Sequence, residues 1–342
     1  MLAVSMRRRF LVRAGAAAIA LTTIGLTPVG AASPVRGIFN WIHGTRDAER
    51  AFAFYHDVFG VELARSPFAG GASGTPEPIR PAAQAGSDPL VWDLTNTHGS
   101  RFRTVFMRAP DTPFGLELSE FFDIPRSDRA PNPWDPGAST IIFSVRDLDA
   151  VAARLKARGA PVVTLGGAPV RTPSGSAILV RDPDGCLIEV RQGDVTETSI
   201  GVAVASLARA REFYEKLLGF TVNGTRTVSA VELRLRGLSG GMLTETAMTV
   251  PGTDARILLY EFTLPAGATP PANRFDWRLQ DVGSPQFQLE VSGLDALIER
   301  TKTAGYRFLS IGAKPIQRAF GRFVFAIDPD GVLVEFVEPA AR

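Results

Sequence analysis

Phe54-Tyr55-His56-Asp57-Val58-Phe59-Gly60 and Phe213-Tyr214-Glu215-Lys216-Leu217-Leu218-Gly219 are two copies of one string. Each follows a residue that can cap a helix, Asp47 or Ser206, and each ends on glycine. Between cap and glycine the apolar residues keep helical spacing, as in Ala48, Ala51, Phe52, Tyr55 and Phe59, so both segments predict short amphipathic helices. A second pair has another signature. Leu148-Asp149-Ala150 and Leu294-Asp295-Ala296 open helices that end at Gly159 and Gly305, and the same thirty-four residues separate Leu148 from Asp182 and Leu294 from Asp328. Both Asp182 and Asp328 begin the string Asp-Pro-Asp-Gly. The chain therefore contains a duplication.

Around each helix the apolar pattern has period two. Strands are expected before the helices at 38–42, 140–145, 200–204 and 287–291. Strand pairs are expected after them, such as 177–180 with 187–190 and 323–327 with 333–337. Asp-Pro-Asp-Gly hinges each of these pairs: proline sets φ at the second position and glycine supplies the positive φ that closes the turn. The repeating unit is strand–helix–three strands, present four times, over about 36–122, 138–192, 196–263 and 284–338. Pro/Gly-rich joints at 123–137 and 264–285 separate units within each half, and a short joint at 191–195 separates the halves. The segment 66–89, rich in Gly, Ala and Pro, reads as a surface loop or as a flap over a pocket.

Composition narrows the function. Hydrophobic residues make up 45% of the 342, enough for sizeable cores in two domains. The +2 formal charge comes from Arg7, Arg8, Arg9 and Arg13; the remaining 310 residues carry −2, so no surplus exists to neutralise nucleic-acid phosphates. One cysteine, Cys186, excludes a disulfide framework, and it also excludes the Cys/His zinc cages that need two or more cysteines. No phosphate loop or dinucleotide fingerprint is present. Residues 1–32 read as an export signal: arginines, a modest apolar run over 14–26, then small residues with cleavage near Ala31 or Ala32. Arg7-Arg8-Arg9-Phe10-Leu11 resembles a twin-arginine signal, which implies a periplasmic or secreted protein. Pro28 ends the apolar run short of spanning length, so no stable membrane anchor is expected.

Four such units, the Phe-Tyr-x-x-x-(Leu/Phe)-Gly helix and the Asp-Pro-Asp-Gly turn resemble the vicinal oxygen chelate superfamily, which includes glyoxalase I, extradiol dioxygenases, fosfomycin-resistance enzymes and bleomycin-binding proteins. The resemblance implies an α+β fold in which βαβββ modules pair into open barrels around a cleft. Pairing consecutive modules gives a first domain over 36–192 and a second over 196–339. It also implies a divalent metal held by first-strand residues, usually histidine, and last-strand glutamates. Matching positions give Asn40, Glu117, Thr140 and Glu189 in the first half. In the second they give Ser199, Leu258, Gln286 and Glu335. None is a histidine. His43 is expected on the helix side of its strand, His56 on the exposed face of its helix, His98 in a turn, and Cys186 in the core.

Two functions stay open from these residues. One is a small-molecule binding protein, similar to the antibiotic-sequestering members, with Asn40, Thr140, Ser199, Gln286 and Glu335 lining its clefts. The other is a lyase, isomerase or dioxygenase with one Mg, Mn or Fe ion on Glu117 and Glu189 in the first domain. The same two carboxylates could instead act as an acid–base pair, or be engaged by Arg or backbone and do no chemistry. The expected partner is a small organic ligand, and the expected state a monomer or homodimer.

Overall fold

The first strand of each module lies between its own last strand and the first strand of another module, and this sets where the clefts are. The computed structural model describes residues 33–67, 75–110, 112–194, 197–269 and 276–341. The expected export segment lies outside them, as does 68–74 of the 66–89 insertion. Module 1 runs β1 (Val35–Gly44), α1 (Ala48–Phe59), β2 (Glu62–Leu63), α2 (Pro89–Thr95), β3 (Arg101–Arg108) and β4 (Gly115–Phe122). Module 2 is β5 (Ser139–Val145), α3 (Leu148–Ala157), β6 (Val170–Thr172), β7 (Gly175–Arg181) and β8 (Leu187–Gln192). In module 3, β9 (Ser199–Val204) leads into α4 (Leu207–Arg211), which widens into a π-helical turn over Glu212–Leu217. There follow β10 (Thr221–Thr227), α5 (Ala230–Leu235), β11 (Met242–Thr249) and β12 (Arg256–Thr263). Module 4 comprises β13 (Pro285–Val291), α6 (Leu294–Thr303), β14 (Arg307–Phe308), β15 (Ile316–Arg318), β16 (Gly321–Ile327) and β17 (Leu333–Pro339).

Local chemistry makes these elements where the pattern places them. The Asp47 carboxylate accepts from Arg50 N at 2.9 Å at the start of α1, and Gly60 ends that helix in the left-handed region (φ 69°). In both Asp-Pro-Asp-Gly turns the first aspartate accepts backbone N–H bonds from within its own turn, and the glycine has positive φ.

The protein is α+β, with four βαβββ modules forming two curled sheets. The pairing is not the expected one. One sheet runs β14-β16-β17-β13-β1-β4-β3-β2 and joins module 1 to module 4; the other runs β10-β11-β12-β9-β5-β8-β7-β6 and joins module 2 to module 3. The clefts thus cut across the 36–192 and 196–339 halves. The physical reason lies in the joints. The short connection after β8 brings β9 directly beside β5, whereas the long Pro/Gly-rich joints carry the chain from one sheet to the other. Modules 1 and 2 meet instead through their helix faces, where Tyr55 of α1 donates to Asp182 at 2.9 Å.

Strand alternation then separates two kinds of surface. Between the sheets and the helices, Trp41, Phe287 and Phe336 of the strands and Tyr55, Phe213 and Tyr214 of the helices belong to one continuous core drawn from all four modules. Facing the clefts, Phe121, Phe323 and Phe325 cluster in one sheet and Ile142, Leu258 and Tyr260 in the other.

Candidate functional site

In the sheet shared by modules 1 and 4, Asn40 of β1 lies opposite Gln288 of β13, and Gln288 lies beside Glu335 of β17. Asn40 Nδ2 donates to Glu117 Oε2 at 3.2 Å and to Gln288 Oε1 at 2.8 Å, and Gln288 Nε2 donates to Glu335 Oε2 at 2.6 Å. Four side chains from four strands thus form one hydrogen-bonded chain, all of them buried. Glu117, Gln288 and Glu335 face a cavity of about 180 Å³. Its walls are apolar, with Phe102, Phe106, Phe121, Phe320, Phe323 and Phe325 contributing rings.

Burial dominates the electrostatics. It pushes the Glu335 carboxyl up to about 7, against the bond donated by Gln288. Glu117 is raised well above its ordinary value, first by burial and then by the charge of Glu335, while Asn40 and Ser119 pull the other way. Two buried carboxyls that resist ionising can each donate a proton or help to hold a cation. The donor set of two carboxylates and two amide oxygens fits a hard ion such as Mg²⁺ or Mn²⁺ and does not fit a nitrogen-ligated metal. The amide protons of Asn40 and Gln288 now point at their neighbours, so binding an ion requires both amides to turn.

Helix α2 closes one side of this cavity through Val91, Leu94 and Thr95. The 66–89 insertion runs into the first residue of this helix. The helix is anchored: Ser310 Oγ donates to Leu94 O at 2.7 Å, and Arg318 pairs with Asp88, the N-cap of α2. Leu90, Ile311 and Phe320, on or beside the elements that meet here, are large apolar residues left exposed.

The other cleft is occupied by its own side chains. Glu189 lies at the bottom, fully buried, paired with Arg191 and with Arg236 at 2.6 Å. Burial alone raises the Glu189 carboxyl, but the two guanidinium charges outweigh it and hold its pKa below the ordinary value. Arg226 pairs with Glu232 and Glu245 beside them, and the Arg236 guanidinium lies 4.4 Å from the centre of the Tyr260 ring. About 20 Å³ of cavity remains. Glu117 and Glu189 thus stand on different sheets, and the metal or acid–base pair expected of them does not exist. The carboxyl that shares a cleft with Glu117 is that of Glu335.

The other expected positions divide the same way. Asn40, Gln286 and Glu335 belong to the open cleft. Thr140 and Ser199 lie on the module 2–3 sheet, with Thr140 opposite Gly201 and Ser199 opposite Ile142. Gln286 lines the cavity one pleat away from the hydrogen-bonded chain, and its Nε2 is buried without a partner among the described residues. The position in the chain is taken by Gln288, which spacing from the Leu-Asp-Ala motif missed by two residues. Its strand face could be foreseen; its register against Glu335 could not. His43 lies on the helix side, 1% exposed; His56 and His98 are exposed; Cys186 is buried.

The Glyoxalase/Bleomycin resistance protein/Dioxygenase superfamily matches residues 40–190 and 198–336. The chain belongs to this superfamily. Glyoxalase I from Zea mays is similar in fold at 18% identity, over 88% of this chain and 92% of its own, with a TM-score of 0.56. A candidate dioxygenase from Bacillus subtilis aligns at 10% identity over 91% of this chain and 87% of its own, with a TM-score of 0.52. An antibiotic binding protein from Streptomyces sp. CB03234 covers 42% of this chain and 93% of its own, at 17% identity and a TM-score of 0.29. No curated protein matches the chain in sequence. Within the superfamily fold, the four positions that converge in the open cleft are Asn40, Glu117, Gln288 and Glu335, and their counterparts in the closed cleft are Ser199, Leu258, Ile142 and Glu189.

Proposed function

We propose that the protein binds a small, predominantly apolar organic molecule in the cleft between modules 1 and 4, and that the module 2–3 sheet serves as scaffold. The observation that carries this reading is the contrast between the clefts. One keeps a Phe-walled cavity over a polar floor, the arrangement of small-molecule sites, while the other is filled by an Arg–Glu network. The exposed Leu90, Ile311 and Phe320 give the mouth an apolar approach. The unpartnered Gln286 Nε2 gives the ligand one donor to satisfy. The arginines and small residues of 1–32 support export of this binder from the cytoplasm.

The test is a thermal-shift screen of small aromatic and alicyclic compounds on the mature chain. Hits should raise the Tm of the parent and of Glu189→Gln, but not of Phe106→Trp, which fills the cavity. Hits that stabilise Phe106→Trp equally would place binding elsewhere and end this reading.

A second reading rests on the convergence of Glu117 with Glu335. Together with the amide oxygens of Asn40 and Gln288 they would hold a hard divalent ion, which when bound polarises a ligand oxygen and supports lyase, isomerase or dioxygenase chemistry. Metal analysis separates the two readings. An ion that is lost in Glu117→Gln/Glu335→Gln, with ligand turnover abolished by chelator, favours the enzyme. Ligand binding indifferent to chelator favours the binder.

A further inference from the structure

Behind β1, on the face away from the cleft, the duplication has diverged at two positions. In both halves the tyrosine of the Phe-Tyr motif donates to the first aspartate of Asp-Pro-Asp-Gly: Tyr55 to Asp182 at 2.9 Å and Tyr214 to Asp328 at 2.8 Å. Around Tyr214 and Asp328 the neighbouring positions are Val202 and Val332, both fully buried. Around Tyr55 and Asp182 the same positions are His43 and Cys186, also buried. Packing alone is met by two valines in one half. The other half has replaced both with residues that coordinate metals, and the fold brings them together with a carboxylate.

We propose that His43, Asp182 and Cys186 form a buried binding site for a thiophilic divalent cation of the Zn²⁺ class, separate from the cleft. One ligand atom from each lies within 4.8 Å of the others. His43 Nε2 and Asp182 Oδ2 are 3.4 Å apart. Two tetrahedral zinc ligands of this kind stand about 3.3 Å apart, given metal–ligand bonds of about 2.0–2.1 Å. His43 Nδ1 lies 3.1 Å from Gly44 O, so a proton there donates to the carbonyl and leaves the Nε2 lone pair facing the cluster. The Tyr55 hydroxyl adjoins Asp182 at 2.9 Å and His43 Nε2 at 3.4 Å.

Charge balance favours a dication. A thiolate and a carboxylate cancel it, leaving a buried site with no net charge. On binding, the Cys186 S–H bond breaks, its proton leaves to solvent, and the sulfur lone pair forms the metal–sulfur bond. Because every ligand is buried, the ion enters as the chain folds.

The chain has a single cysteine, which makes the test specific. The mature protein is unfolded and refolded with Co²⁺, dialysed, and examined for stoichiometry and for the thiolate-to-cobalt charge-transfer band. The proposal expects about one Co²⁺ per chain with that band, displaced by Zn²⁺, and still present in Glu117→Gln/Glu335→Gln. His43→Val and Cys186→Val, which copy the other half, should each abolish it. Refolded parent protein that takes up no Co²⁺, or takes it up without the sulfur band, overturns the site and leaves His43 as a buried polar neighbour of Asp182. That outcome is read on the parent chain alone, so it holds even where a variant does not fold.

Discussion

Glu117 of the first module and Glu335 of the fourth meet in one cleft, and each is kept from ionising by burial, with Glu335 adding its charge to Glu117. Their closeness is the direct product of the sheet that joins module 1 to module 4 through β1 and β13. Had consecutive modules paired, Glu117 would have faced Glu189 instead. The carboxyl chemistry of the protein is therefore decided by strand-edge pairing rather than by either carboxyl's own surroundings in sequence.

This pair makes stability fall with rising pH. The Glu335 pKa stands at about 7 in the folded protein against an ordinary 4.5. The folded state binds the proton more tightly, so this carboxyl's contribution is intact below about pH 4.5 and is lost as pH rises through about 7. Glu117, also raised, acts in the same direction. Glu335→Gln should match the parent near pH 4 and exceed it by up to about 3 kcal/mol near pH 8. Urea denaturation in chelator across that range checks it, and parallel curves for the two proteins would refute it.

The fold was legible because its signals are local. A cap at Asp47, a left-handed glycine at Gly60 and the Asp-Pro-Asp-Gly turns act within a few residues, and they place the four modules to within three residues. Asn40 and Glu335 were legible as cleft residues because alternation assigns strand faces. Alternation cannot tell Gln286 from Gln288, which share a face; only the register of β13 against β17 does. Edge pairing was hidden for a related reason. It is made by backbone groups common to every residue, and the one clue was the difference in length between the joint at 191–195 and the other two. Arg236, which closes the second cleft, follows α5 and belongs to no motif.

In the closed cleft, Glu189→Gln should cost roughly 3 kcal/mol or more, because it leaves Arg236, 4% exposed, without its countercharge. The Glu189 pKa is lowered in the fold, so its contribution is present above the ordinary carboxylate range and is lost as pH falls through the lowered value. Parent and variant should therefore converge in acid. Ligand binding in the open cleft should be unchanged. A variant as stable as the parent at neutral pH would mean that the Arg–Glu network holds nothing together.

Gly115 sits beside Asn40 in the parallel pairing of β1 with β4. A Cβ there would stand 2.2 Å from Asn40 Oδ1, so Gly115→Ala must displace the amide that joins Glu117 to Gln288. The expected loss is about 1–3 kcal/mol by denaturation, together with weaker ligand binding. Asn40→Ala vacates the space, so adding it to Gly115→Ala should cost less than the sum of the single changes. Strict additivity would show that the two sites do not touch.

The convergence of the four cleft residues can be tested by giving them the nitrogen donors they lack. Asn40→His with Gln288→His sets two imidazoles beside Glu117 and Glu335, a mixed N/O set that suits Zn²⁺ where the parent's amides do not. The double variant should hold one more Zn²⁺ per chain than the parent. At free zinc about a thousandfold above Kd, that ion adds about 4 kcal/mol of stability, which reads as a Tm rise reversed by chelator. Glu335→Gln added to the pair should weaken the gain, and Glu189→Gln should not, since Glu189 faces the other cleft. A double variant that binds no extra zinc would mean that Asn40, Glu117, Gln288 and Glu335 do not come together as described. Both the binding and the metal readings of the cleft would then lose their floor.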